Sequence, residues 1–153
     1  MTRSAVTACP ESLWTDGSFK NRFWRVAYHT LHYAHLYLGR SVEAFVPWEK
    51  ARPEYQYLGL VPWPPHAEPK IGEPYDKAEI LEFGELVAGA VARQVRDIPL
   101  DEPSGFDWLP FSRLELHVYG IRHIQHHTGQ LIDRIRERCG TGVEWIGMGQ
   151  EEP

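Results

Sequence analysis

The sequence is short of several things, and each shortage excludes a class of protein. Only two cysteines occur among 153 residues, Cys9 and Cys139, far apart and in no paired motif. That excludes a disulfide framework and suits a reducing compartment. Long apolar runs are missing as well. The longest uncharged stretch near the front, Val26 to Gly39, has 14 residues and carries three histidines, whereas a spanning helix takes about 20 mostly apolar residues. No transmembrane segment is expected. The opening MTRSAVTACPESLW lacks the charged, apolar and small-residue order of an export signal, so a cytoplasmic protein is expected. Basic charge is also scarce: 16 Lys and Arg stand against 21 Asp and Glu, a net charge of −5, with no basic block set apart. A nucleic-acid partner is therefore not expected.

What the sequence does have is apolar and aromatic surface. Hydrophobic residues make up 42% of the chain and include six Trp, seven Tyr and six Phe, enough to build a core without staples. At 17.7 kDa the chain has the size of one domain, and residues 1–153 are read as a single unit. Three helices are expected. The first covers Ser18 to Arg40, which follows the turn signal Thr15-Asp16-Gly17 and contains neither Pro nor an internal Gly. The second covers Asp76 to Ile98, between Pro74 and Pro99, with Ile80, Phe83, Val87, Val91 and Val95 at mixed three- and four-residue steps.

The third runs from Ser112 to Arg138. It has Leu114, Ile121, Ile124, Leu131 and Ile135 at helical spacing and ends in Cys139-Gly140. Arg134, Arg136 and Arg138 in its last turns are expected to complement the helix dipole and meet water. Between Pro47 and Pro74 lie seven prolines, which leave a long loop with at most a turn around Ser41 to Val46. Tyr55, Tyr57, Leu58, Leu60 and Trp63 should dock that loop onto the helices. The first 17 residues are expected to hold at most a short helix around Glu11 to Thr15.

Seven of the eight histidines fall on two of these helices: His29, His32 and His35 on one, His117, His123, His126 and His127 on the other. At about 100° per residue, His123 and His127 lie within about 40° of each other beside the stripe of Ile124, Leu131 and Ile135. His126 turns away from that stripe. On the earlier helix His29 groups with Val26, Tyr33 and Leu36, and His35 with Trp24 and Tyr28. Two imidazoles one turn apart and a third from a facing helix can supply the three ligands of an open metal site. Zinc or nickel would suit three neutral nitrogens. A histidine on an apolar face is, however, more often a hydrogen-bonded core residue than a ligand, so a polar core without metal stays open at this point. A zinc protease of the His-Glu-x-x-His kind is not expected, because Ile124 stands where its general base would be.

The segments RHIQHHTGQLIDRIR (Arg122 to Arg136), FWRVAYHTLHYAHLYL (Phe23 to Leu38) and FDWLPFSRLEL (Phe106 to Leu116) together resemble the DinB/YfiT-like family. The resemblance spans roughly Trp14 to Gly140 and is strongest at the His-x-x-x-His followed by Gly-Gln. It implies an all-α, up-and-down four-helix bundle that binds a divalent ion, commonly zinc or nickel. One ligand would come from the second helix and two from the fourth, here His29, His123 and His127. The N-terminus departs from the family, because few residues precede the His29 helix. Either the first helix is short or truncated, or a partner or the proline-rich loop covers the exposed core, and a homodimer is expected.

The resemblance implies two reaction classes on a small-molecule substrate. One is transfer or isomerisation with a small thiol cosubstrate, whose pKa the metal lowers; the other is metal-assisted hydrolysis. His32 and His126 are the candidates for a proton shuttle or a supporting hydrogen bond, and Tyr33 and Gln130 for contacts to substrate. The alternative is a non-enzymatic, stress-related metal-binding or interaction protein. A fourth protein ligand such as His32 or His126 would favour it, because structural sites are closed and catalytic ones keep a position open.

Overall fold

The computed structural model describes residues 1–95 and 98–147. Among them the chain is all-α, with five helices and no strand: α1 (Thr2–Ala8), α2 (Glu11–Trp14), α3 (Phe23–Leu38), α4 (Lys77–Gln94) and α5 (Arg113–Cys139). The three expected helices are present, with shifted ends. α3 starts five residues later than expected because the Asp16 carboxylate accepts the Ser18 backbone N–H, and this local turn competes with helix. α4 and α5 each begin in a capping box, Asp76 with Glu79 and Ser112 with Glu115, which satisfies backbone donors at both helix starts. α4 ends at Gln94; Arg96 and Asp97, part of the longer helix expected there, lie outside the described residues. α5 stops at Gly140, whose φ of 65° is the left-handed cap that glycine adopts at low cost.

α1 was not expected. Its seven residues TRSAVTA have little helical propensity, and the helix is held by burying Ala5 and Val6 against the longer helices. α3 packs against α4 and α5, and α1 rests on both α4 and α5. Thr2 and Thr128 share a hydroxyl hydrogen bond of 2.7 Å between α1 and α5. α1 is only about 10 Å long against about 40 Å for α5, so it covers a fraction of the groove. Beyond it Leu114, Val118 and Ile121 of α5, Val91 of α4 and Val95 just after α4 are exposed. The periodicity that marks these helices therefore overstates how much of them faces a core.

The core is rich in rings. Trp24, Tyr28, Trp48, Tyr55, Tyr75 and Phe83 meet across α3, α4 and the proline-rich loop, with Trp48 stacked on Phe83 at 4.8 Å between centroids. The loop docks as expected through Tyr55, which is buried, and through Tyr57 and Leu58, which are half-buried. Leu60 and Trp63 do not dock; both are exposed. A smaller cluster of Leu36, Tyr37, Phe106, Leu109 and Leu116 lies under the link that precedes α5.

Three arginines tie this frame together. The buried Arg113 donates to the carbonyls of Gly39 (3.0 Å) and Arg40 (2.6 Å), satisfying chain that leaves α3. A Cβ on Gly105 would stand 1.9 Å from the Arg40 carbonyl oxygen, and φ there is 84°, so only glycine fits beside that junction. Arg134 donates to the Asn21 carbonyl (2.8 Å), and Arg138 to the Ser18 hydroxyl (2.7 Å). These two do more than meet water, because they pin the turn before α3 onto α5. No described helix is long and apolar enough to cross a membrane.

Candidate metal centre

His29 comes from the middle of α3, and His123 and His127 lie one turn apart on α5, so the packing of α3 on α5 brings the three rings together. One ligand atom from each lies within 4.8 Å of the others. The ring centroids are 4.6 to 4.9 Å apart, and His29 Nε2 is 3.0 Å from His123 Nε2. Two nitrogens at about 2.0–2.1 Å from one tetrahedral zinc would be about 3.3 Å apart, so this pair needs to open by only a few tenths of an ångström.

The far side of the rings decides which nitrogen is presented. His29 Nδ1–H donates to the Gln56 backbone carbonyl, on the proline-rich loop. His127 Nδ1–H donates to Gln130 Oε1 at 2.8 Å, one turn along α5. Both bonds fix the tautomer that leaves a lone pair on Nε2, the arrangement that supports a metal-bound imidazole. His123 has no such anchor. Its Nδ1 is buried without a hydrogen-bond partner, so its protonation follows what lies on its Nε2 side.

Electrostatics also favour neutral ligands. Burial pushes His29 down to about 3, against the opposing effect of the Gln56 carbonyl and with help from the neighbouring imidazoles. Burial, and then the His127 and His126 charges, pushes His123 down to about 4. Burial lowers His127 as well, partly offset by Gln130. At neutral pH all three keep the lone pairs a metal ligand requires. The donor set thus fits a borderline divalent ion in number and charge, and two of its three members in tautomer.

The remaining candidates separate. His32 lines the cavity next to the cluster, among the rings of Tyr28, Tyr33 and Phe45, and burial takes it down to about 4. His126 is exposed, beside the His127 ring, and does not line the cavity, which removes it as an interior proton shuttle. Tyr33 lies against His29 and His123, with centroids at 4.8 and 5.6 Å, and faces the cavity. Gln130, a candidate for contact to substrate, takes a structural role instead. It is spent on His127.

The cavity measures about 1040 Å³ and reaches from the histidines to the proline-rich loop and the link before α5. Sequence reasoning missed Gln56, Tyr119 and Trp108. Tyr119 sits one turn before His123, a spacing that could have found it. Gln56 acts through its backbone, which no residue type announces. Compared with known protein families, curated proteins and solved structures, the chain matches none.

Proposed function

We propose that this chain is a metal-dependent enzyme whose centre is one divalent ion, zinc or nickel, held by His29, His123 and His127. The observation that carries this reading is the convergence of three neutral imidazoles beside a large cavity, two of them already anchored through Nδ1. Neither His32 nor His126 joins the cluster as a fourth ligand, and three protein ligands are the count of an open, catalytic centre rather than a closed, structural one. Such an ion supplies Lewis acidity, lowering the pKa of a water or thiol that reaches it. The chain's own residues do the rest. Gln56 and Gln130 orient two ligands, Tyr33 flanks the reacting space with its ring, and His32 offers a neutral imidazole on the same wall as proton acceptor.

The reaction is hydrolysis or small-thiol transfer or isomerisation on a small molecule, the two classes that resemblance to DinB/YfiT-like proteins implies. In that reading α1, α3, α4 and α5 are an up-and-down four-helix bundle with a shortened first helix, and the seat of α1 on α4 and α5 supports it. The bare residues Leu114, Val118 and Ile121 support a homodimer. Two free cysteines suit the cytoplasm.

Elemental analysis tests the centre. Protein purified without metal affinity is expected to hold one zinc or nickel per chain, and the His123→Ala, His127→Ala double variant none. Absence of any ion after both metals are offered would overturn the proposal. A saturated ion that no small ligand can displace or join would move the reading to the non-enzymatic alternative.

A further inference from the structure

The wall of the cavity restricts what can occupy it. Rings from four stretches of chain face the space: Tyr33 and Tyr37 from α3, Tyr57 and Trp63 from the proline-rich loop, Trp108 from the link before α5, and Tyr119 from α5. Trp63 and Trp108 are 57% and 50% exposed, although large indoles are usually well covered in a folded domain. They belong to different connecting segments yet border one cavity.

Charge is scarce on the same wall. No Asp or Glu of the described residues lines it, and its only arginine, Arg52, is engaged elsewhere. Arg52 Nη1 donates to the Glu73 carbonyl (2.6 Å), Nη2 lies 3.8 Å from Glu79, and the guanidinium sits 4.3 Å over the Tyr75 ring. A charged group held against the ring-lined body, away from the histidine end, would find no free countercharge there, a cost that ring contacts do not recover. The three histidine ligand atoms meet on this wall, within 4.8 Å of one another.

We propose that the cavity binds a neutral molecule with a flat aromatic body and one lone-pair donor. The donor meets the three-histidine end, and the body lies against Trp63, Trp108 and Tyr119. The donor half rests on the metal reading above; the aromatic half rests on the wall alone. A thiol peptide carrying several ionised groups fits this wall poorly, so of the two reaction classes the cavity favours hydrolysis of a neutral aromatic substrate.

Three probes differing only in the body test this on the cobalt-loaded protein at mildly alkaline pH: imidazole, 4-phenylimidazole and 4-(imidazol-4-yl)benzoate, each followed through the visible cobalt bands. The phenyl ring is expected to tighten binding about tenfold or more, the return for burying one ring. The Trp63→Ala, Trp108→Ala double variant should lose that gain with imidazole affinity unchanged. The benzoate should bind about tenfold more weakly than its phenyl parent. Equal affinity for imidazole and 4-phenylimidazole would overturn the aromatic site, and equal affinity for the benzoate would overturn its preference for neutral ligands. Failure of the metal reading looks different, because no cobalt bands would appear. In that event 2-naphthol, titrated into metal-free protein and followed by tryptophan fluorescence, decides the aromatic half. Saturable binding that the double variant weakens about tenfold upholds it, and no saturable binding overturns it.

Discussion

Two groups of histidines share α3 and end in different chemistry. His29, with His123 and His127 across the interface, forms a cluster in which two rings have an oxygen behind them. His32 and His35, three and six residues along, lie among Tyr28, Phe45 and Phe83, and the buried Nδ1 of His35 has no partner. Both groups are inward-facing and both have their pKa lowered chiefly by burial. Burial and clustering are therefore common to the two. What separates them is convergence with anchoring: two of the three clustered rings are aimed through an occupied Nδ1 and the third, His123, meets them within ligand distance, whereas His35 has an unpartnered Nδ1 and lies outside the cluster.

Substitutions can break that contrast, and the largest effect is expected at a ligand. His127→Ala should abolish stoichiometric metal binding while circular dichroism still reports a helical protein. Unchanged metal content would remove the distinction between the groups. Gln130→Leu should leave the ligands in place but weaken metal affinity about 10- to 100-fold, the usual cost of losing an outer partner. Competition against a chromophoric chelator measures it, and an unchanged affinity would show that the His127 ring needs no anchor.

Acid should act on both groups in the metal-free protein. The folded state keeps His29 near 3 and His32 and His123 near 4, whereas the unfolded chain takes up their protons at about 6.5. The unfolded state then binds more protons, so stability falls as pH drops from about 6.5 towards 4 and is flat above that window. Urea midpoints across the window are expected to show this slope, and a shallower one in His32→Phe. The smallest effect belongs to the same variant at neutral pH. His32→Phe places a ring among rings, and metal content there should equal that of the parent.

Much of this was legible beforehand, for reasons that particular residues make clear. The helical period, Gly140 as a stop and the prolines between 47 and 74 are local signals, and they gave α3, α4, α5 and the loop. Positions 29, 123 and 127 could be paired because helical geometry alone puts them on facing stripes. α1 left no local trace, because burial of Ala5 and Val6 rather than propensity holds it. Leu114 and Ile121 carried the period of a core helix and face outward, because a seven-residue α1 cannot reach them. The later start of α3 turned on one carboxylate, Asp16, bonding its own backbone. The division between His126 and His127 was readable from the wheel, but the role of Gln130 was not, since the amide serves its own helix.

The bond behind His29 has a further consequence for how the protein tolerates change. Its acceptor is the main-chain oxygen of residue 56, which every amino acid carries. An alanine scan would pass over this position without a signal, and sequence drift there is free as long as the loop keeps its path. The neighbouring anchor is the reverse, because Gln130 holds His127 with a side-chain amide that most substitutions erase. One ligand is thus secured by shape and another by spelling. Comparing sequences can recover only the second.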